Sequence, residues 1–293
     1  MTSTRHKPLA PYAFLTPFLL IFTLFTLYPL IQSLILSFQQ THGPHSAQAV
    51  GAANFAFILH DPLFWKALSN TAIFAAASVF IQLPISLALA LLLNRPNIKG
   101  RALFRLIFFS PSLVGLVFVA VLFSVIFEKR TGLLNVALYR LFNFNLDFPW
   151  LQEHVMAAMI LAALWVYVGF NMVYFLAALQ TVDPELLEAA TVDGANPWHR
   201  FWHITIPAIR PVAAFVVLLS IIGSFQLFEL PFILLNGPGP GNQGLTVVLY
   251  LFQVGFQQGN LGYASAIGWV LALLLAFFTL TQQLLARTGR GDD

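Results

Sequence analysis

Long, predominantly apolar runs dominate the chain and recur six times. A lone segment in lipid must satisfy its own backbone hydrogen bonds, and none of the runs alternates like a barrel strand. Each run exceeds the roughly 20 residues that a helix needs to cross about 30 Å of hydrocarbon. The pattern predicts an all-α integral membrane fold with six transmembrane helices in a single domain over residues 1–293. The predicted spans are 11–38, 68–93, 103–127, 155–179, 212–235 and 261–286.

The composition also indicates a membrane protein. Hydrophobic residues make up 59% of the 293 residues and charged residues only 9%, whereas soluble domains carry about 25% charged residues. The chain has no cysteine, which excludes a disulfide framework, a thiol nucleophile and thiolate metal ligands. The net charge of +3 is spread without a basic block, so nothing indicates nucleic-acid binding.

The distribution of lysine and arginine predicts the orientation. Six crossings would place ten of these residues on the side of both chain ends and four on the other side. Because cytoplasmic loops carry the excess of positive charge, both termini are predicted to be cytoplasmic. The connection at 236–260 would then lie outside, and it contains no charge, which suits a translocated loop.

One predicted cytoplasmic loop, residues 180–211, is long enough to fold by itself. Asp183-Pro184-Glu185 combines an N-cap, a proline at the first helical position and a first-turn acid, which predicts a helix start. Gly194 is placed to end that helix in a left-handed conformation. Asn196-Pro197 repeats the start signal. The loop is therefore expected to form two short helices joined by a tight turn.

Prolines and apolar residues define the rest of this loop. Pro207 and Pro211 are expected to end the second helix before the fifth span. Exposed apolar side chains outside the membrane need cover, from the chain's own helix ends or from another protein. The residues expected to be exposed are Leu186, Ala190, Trp198 and Trp202.

The same loop carries a motif of fixed spacing. Glu188-Ala189-Ala190 is followed after three residues by Gly194, after nine more by Ile204, and then by Ile206-Pro207. This pattern resembles the E-A-A…G…I-x-L-P loop in the permease subunits of binding-protein-dependent ABC importers, with isoleucine at 206 for the usual leucine. The loop motif is specific to that superfamily.

Further matches point to one branch of the family. Tyr28-Pro29, Asn54-Phe55, Asn70-Thr71 and Gly262-Tyr263-Ala264 resemble the carbohydrate branch, together with the glycine- and proline-rich segment after the fifth span. Within that branch the chain is similar to the "first" permeases of maltose and glycerol-phosphate importers.

The resemblance implies a MetI-like permease fold in the bacterial or archaeal cytoplasmic (inner) membrane, crossed several times. It implies that the chain forms half of a translocation path for a sugar or oligosaccharide. The implied partners are a second permease, two ATPase subunits that bind ATP and magnesium, an extracytoplasmic solute-binding protein, the sugar and membrane lipid. The residues that the resemblance assigns to ATPase coupling are Glu185, Glu188, Ala189, Ala190, Asp193, Gly194, Trp198, Ile204 and Pro207.

A sugar path needs polar and aromatic side chains near the middle of the bilayer, where lipid offers a hydroxyl no partner. In the fourth span a helical stripe of this kind is expected, and in the fifth span two serines four residues apart share a face. An aromatic stripe also arises by chance among 30 phenylalanines, facing lipid or neighbouring helices. The candidate path residues are Trp165, Tyr167, Phe170, Asn171, Ser220, Ser224, Gln226 and Glu229.

Other functions remain as alternatives. The loop could be an amphipathic hairpin that lies on lipid headgroups. The cargo could be a peptide or amino acid, or the chain could be a membrane enzyme acting on lipid-linked substrates, although its charges are sparse. His199 and His203 have metal-ligand spacing, but no carboxylate or thiol matches them, so neither a metal site nor a catalytic site is expected.

The chain has no phosphate-binding loop. None of its four lysines follows a glycine as the G-x-x-x-x-G-K-[ST] motif requires. We therefore predict that the isolated polypeptide hydrolyses no ATP and that it co-purifies with an ATPase chain. Robust hydrolysis by the purified chain alone would contradict this reading.

Overall fold

The computed structural model describes residues 10–41, 47–95 and 98–288. Short strands β1 (Gln39–Thr41) and β2 (Ala47–Ala49) form one antiparallel pair. π-helical turns occur at Thr23–Leu27, Ser78–Gln82, Phe201–Thr205 and Gln253–Gln257, and 3₁₀ turns at Ser110–Leu113 and Pro240–Asn242. The helices are α1 (Ala10–Phe22), α2 (Tyr28–Ser37), α3 (Ala53–His60), α4 (Pro62–Ala77), α5 (Leu83–Leu93), α6 (Arg101–Phe109), α7 (Leu116–Ile126), α8 (Leu133–Phe142), α9 (Val155–Leu179), α10 (Pro184–Val192), α11 (Pro197–Arg200), α12 (Ile206–Phe225), α13 (Glu229–Leu234), α14 (Val247–Phe252) and α15 (Leu261–Thr288).

The helices agree with most of the predicted apolar runs. Among the described residues, five helices are long and apolar enough to cross a membrane, and a bent pair makes a sixth candidate. The runs predicted at 11–38, 155–179 and 261–286 coincide with helices to within two residues. The second begins at Pro62, six residues before the predicted start. The number of crossings and their orientation stay predictions.

The helix predicted over 103–127 is interrupted in the structure. α6 and α7 are separated by a 3₁₀ turn and bent by 99°. Pro111 lies in that turn and lacks a backbone N–H, while Val114 and Gly115 have extended ψ angles of 128° and 139°. The proline and the two extended residues interrupt the hydrogen-bond ladder, which produces the sharp bend.

The predicted limits of the fifth span, 212–235, are also wrong. The helix runs without a break from Pro197 to Phe225, so Pro207 and Pro211 do not end it. A π-helical turn immediately before Ile206 widens the helix where the first of these prolines follows. Such wider turns accommodate local irregularity inside a continuous helix.

The helix of the fifth span, α12, ends at Phe225 because a proline further along the chain removes a backbone hydrogen bond. Pro231 cannot donate the bond that a continuous helix would make to the carbonyl of Leu227. The hydroxyl of Thr246 donates to that carbonyl instead, at 2.7 Å. The chain leaves the helical conformation at Gln226 (φ −94°, ψ 7°), is extended in φ at Phe228 (φ −133°) and restarts as α13.

Contacts divide the described chain into two compact units, and the expectation of one membrane domain stays a prediction. The first contains the described residues up to Asp61 together with Leu251–Val270. Within it, the Asn54 amide donates to the carbonyls of Ser37 and Gln39, both at 2.9 Å. The Tyr263 hydroxyl donates to Asp61 Oδ2 at 2.5 Å. The first two bonds join α3 to the end of α2 and to β1, and the third joins Asp61, directly before α4, to the start of α15.

The second unit contains Pro62–Tyr250 and the described residues from Leu271 onward. α9 is its most buried helix. It contributes to two groups of buried apolar side chains. The first apolar cluster consists of Phe74, Val119, Ala120, Phe123, Phe127, Val155, Ala158, Met159, Ala162, Ala163, Val166, Leu227, Leu230 and Leu234. The second apolar cluster consists of Leu83, Ala90, Leu93, Met172, Phe175, Leu176, Ala178, Leu179, Val182, Ile209 and Val216.

α6 crosses α9 at a glycine. A Cβ placed on Gly169 would overlap the backbone carbonyl of Phe108. Such close approach of two backbones is possible only where a side chain is missing.

We expect Gly169→Ala to force α6 away from α9 and to destabilise the fold by about 1–3 kcal/mol, as overpacked sites do. The measurement is the midpoint of thermal unfolding of the purified protein. Gly223→Ala is the matched control, since a Cβ at Gly223 meets nothing within 4 Å. Equal midpoints for the two variants would contradict the close-packing account.

Candidate functional site

A cavity lies between the two apolar clusters. Along α9, residues up to Val166 belong to the first cluster and residues from Met172 onward to the second. The cavity lies beside the part of α9 between Val166 and Met172. Its volume is about 520 Å³, including the space at its open mouth. It is lined by Phe74, Ser78, Gln82, Tyr167, Phe170, Asn171, Leu219, Ser220, Gly223, Ser224 and Leu227.

One wall of the cavity comes from the π-helical turn between α4 and α5. Ser78 and Gln82 begin and end this turn, and they are 7% and 5% exposed. Pro84, two residues after the end of the turn, lacks the N–H of a regular helix, which favours a locally altered ladder. The turn places both polar side chains on the cavity wall rather than toward lipid.

The second wall comes from α9. Tyr167, Phe170 and Asn171 follow helical spacing and all line the cavity. Asn171 is buried. Tyr174, one turn further on, packs edge-to-face against Phe170 and Phe215 at ring distances of 5.2 and 6.2 Å. These ring contacts hold Phe170 in place beside the buried amide.

The third wall is the last part of α12. Ser220, Gly223 and Ser224 line the cavity. The Ser224 hydroxyl donates to the Ser220 carbonyl at 2.7 Å, which leaves its oxygen able to accept a bond from a ligand. A glycine at 223 keeps the wall open, because no atom lies within 4 Å of a Cβ built there.

The lining has a defined chemistry. Among the described residues that form it, amides and hydroxyls alternate with aromatic and aliphatic groups, and none is charged. Amides can donate to and accept from hydroxyls, and aromatic faces can stack on apolar faces of a ring. The arrangement can hold an uncharged molecule rich in hydroxyl groups.

The structure brings together five of the eight candidate path residues. Three lie elsewhere. Trp165 packs edge-to-face on Phe123 at a ring distance of 5.6 Å and is 42% exposed. Gln226 follows the end of α12, and Glu229 begins α13, so neither belongs to the continuous helix that was predicted for the fifth span. The incorrect helix limits explain why both were placed on the path.

Sequence reasoning missed Ser78 and Gln82. Both lie inside the second apolar run, where a glutamine has no partner in lipid. That glutamine was the available signal. The π-helical turn that orients both side chains has no comparable sequence signature apart from the following proline.

The loop at 180–211 forms the predicted turn. Asp183 Oδ1 accepts the N–H of Glu185 at 2.9 Å, and Asn196 Oδ1 accepts the N–H of His199 at 2.7 Å, so both predicted caps are confirmed. Gly194 has the predicted left-handed conformation, with φ 81°. The N–H of Ala195 donates to the carbonyl of Ala190 at 2.9 Å, which closes α10 in a Schellman arrangement.

The exposed surface of this loop differs from the prediction at one position. Ala190 is half-buried, and its carbonyl accepts the N–H that closes the turn. Leu186, Trp198 and Trp202 are 57%, 68% and 48% exposed, as predicted. The coupling candidates exposed on the same loop are Glu185, Glu188, Ala189, Asp193, Gly194 and Pro207.

Two apolar side chains connect the loop to the interior. Leu187 of α10 and Ile204 of the following π-helical turn are partly buried against the second apolar cluster. Arg200 Nη1 donates to Thr191 Oγ1, which braces the two arms of the turn. The exposed loop is therefore joined to the cluster that borders the cavity.

A bundle of apolar helices around a polar cavity, with a braced loop outside it, is the architecture of a membrane permease subunit. Residues 82–290 match the family "Binding-protein-dependent transport system inner membrane component". The chain belongs to this family. It is a transport component of the inner membrane, within a binding-protein-dependent ABC importer.

Relatives of known name cover nearly the whole chain. The arabinooligosaccharides transport system permease protein AraP of Bacillus subtilis (strain 168) is 39% identical, covering 98% of this chain and 91% of its own. The lactose transport system permease protein LacF of Rhizobium radiobacter is 34% identical, covering 97% and 96%. A bacterial ABC transporter involved in the import of the acidic polysaccharide alginate matches in structure with a TM-score of 0.83 and 25% identity, covering 97% of this chain and 96% of the matching chain.

Proposed function

We propose that the cavity between the two apolar clusters is the passage for an uncharged sugar or oligosaccharide through this importer subunit. The observation that carries the proposal is the enclosure of Gln82, Asn171 and Ser224 between two apolar barriers. Facing lipid, the amides of Gln82 and Asn171 would have no partners, whereas in a passage they bind hydroxyl groups, and the Ser224 oxygen can accept a further bond.

The two clusters supply the barriers that alternating access requires. A polar solute crosses a membrane only if the path opens to one side at a time. Separation of the first cluster opens the cavity toward α13, and separation of the second opens it toward the loop at 180–211. Each barrier closes by burying apolar surface again, which needs no specific partner.

The uncharged lining favours a neutral substrate. AraP and LacF are named for arabinooligosaccharides and lactose, which carry no charge. The alginate transporter handles an acidic polysaccharide. A buried anionic sugar needs a cation or several donors to offset its desolvation, and the described lining holds no lysine or arginine.

The loop at 180–211 couples the passage to ATP hydrolysis on another subunit. An ATPase subunit, with ATP and magnesium, docks on the exposed residues around Gly194, and its movement reaches the second apolar cluster through Leu187 and Ile204. A second permease completes the path, and a second ATPase docks on that permease. An extracytoplasmic solute-binding protein delivers the sugar.

We expect Asn171→Leu to lower uptake of a neutral oligosaccharide about tenfold, because it removes hydrogen bonds of roughly 1–1.5 kcal/mol without removing bulk. Uptake is measured with a panel of labelled saccharides, amino acids and peptides. Gln226→Ala is the control, since Gln226 is exposed and does not line the cavity. Equal uptake by the two variants, or uptake of peptides rather than saccharides, would refute the assignment.

We expect Gly194→Asp to abolish uptake through loss of the ATPase, while the chain remains inserted in the membrane. The φ of 81° strains a side chain by about 1 kcal/mol, and the added carboxylate projects into the docking surface. The readout is ATPase co-purified per permease. Gly194→Asn is the comparison, because asparagine tolerates this conformation and adds no charge, so it should retain more ATPase. Normal transport with bound ATPase in Gly194→Asp would show that the loop does not couple.

A further inference from the structure

The connection that follows α13 is held in place by side-chain hydrogen bonds as well as by apolar packing. Asn70 of α4 is 4% exposed, and its amide donates to the carbonyls of Asn242 and Leu245 at 2.8 and 3.0 Å. One side chain thereby holds two backbone positions of the connection.

Two threonines extend this attachment. The Thr71 hydroxyl donates to Ala67 within α4 at 2.8 Å and accepts the N–H of Val247 at 3.1 Å. The Thr246 hydroxyl donates to the carbonyl of Leu227 at 2.7 Å. Both threonines are almost completely buried, at 0% and 1% exposure.

The attachment borders the cavity on two sides. Phe74, which lines the cavity, lies one helical turn beyond Asn70 and Thr71 on α4. Leu227, the acceptor for Thr246, lines it from the other side. Asn70, Thr71 and Thr246 do not line the cavity themselves, so their contribution is to position the connection.

We propose that Asn70, Thr71 and Thr246 form a polar clamp that holds residues 242–247 across the Phe74–Leu227 end of the cavity and releases when this end opens. The proposal rests on the proposed function of the cavity. With the predicted orientation, this end faces the outside of the cell.

The chemistry of the clamp suits a closure that must open repeatedly. On opening outward, the freed amide, hydroxyls and carbonyls exchange their mutual bonds for bonds to water, so opening costs little net free energy. While the clamp is closed, the geometry of three side chains specifies one position of the connection. An apolar contact alone would specify that position less sharply.

The clamp can be tested by thiol accessibility, because the chain has no cysteine. Gly223→Cys places a thiol on the cavity wall, where no atom lies within 4 Å of the added Cβ. The variant is assembled with cysteine-free partner subunits in right-side-out vesicles. Its reaction rate with a membrane-impermeant methanethiosulfonate added outside is then measured without ATP.

Thr71→Val is the informative change in this background. It keeps the shape of the side chain and removes the acceptor for the Val247 N–H, so the resting reaction rate should rise about tenfold, as expected for one buried group left without its partner. Thr71→Ser is the matched control, which keeps the hydroxyl and should react like the parent. Asn70→Ala should raise the rate further. Equal rates in Thr71→Val and Thr71→Ser would overturn the clamp.

A turnover measurement separates failure of the clamp from failure of the proposed function. With ATP and loaded binding protein, the parent Gly223→Cys should react faster than at rest if the cavity is the passage. Acceleration by turnover together with no effect of Thr71→Val would reject the clamp alone. No acceleration by turnover and no effect of the variant would reject both the clamp and the proposed passage.

The amount of assembled complex in each membrane is measured by blotting. If the complex is lost in Thr71→Val but kept in Thr71→Ser, the Thr71–Val247 hydrogen bond serves assembly, and the clamp is overturned.

Discussion

The absence of hydrogen-bond partners in hydrocarbon is the constraint on which the structure depends. Gln82 and Asn171 lie in otherwise apolar helices, and lipid would leave their side-chain amides without partners. The helices are arranged so that these side chains line one cavity, while apolar side chains close it on both sides. The same feature that stabilises the bundle therefore creates a polar compartment inside it.

Breaks in the helices have separate local causes. The bend at Pro111 and the end of α12 before Pro231 both follow from a missing backbone N–H. At the second break, the carbonyl of Leu227 becomes an acceptor for Thr246, so the interruption supplies an attachment point for the next connection. Pro207 shows the opposite outcome, because the π-helical turn before it lets the helix continue.

Much of this arrangement could be predicted from local signals. Apolar runs located the long helices, and the caps at Asp183 and Asn196 and the turn at Gly194 were correct because each depends on neighbouring residues only. The 99° bend and the early end of α12 were missed because an apolar run looks the same in a straight and a broken helix. Gln82 was missed because its direction depends on a π-helical turn.

The central claim is that a saccharide passes between α4–α5, α9 and α12. It is tested most directly by placing a photoreactive benzoylphenylalanine at Phe170, which lines the cavity, or at Trp165, on the same helix but outside it. The assembled importer is illuminated during turnover with a labelled oligosaccharide. The account predicts covalent labelling from position 170 and none from position 165. Labelling from neither position, or equally from both, would contradict it.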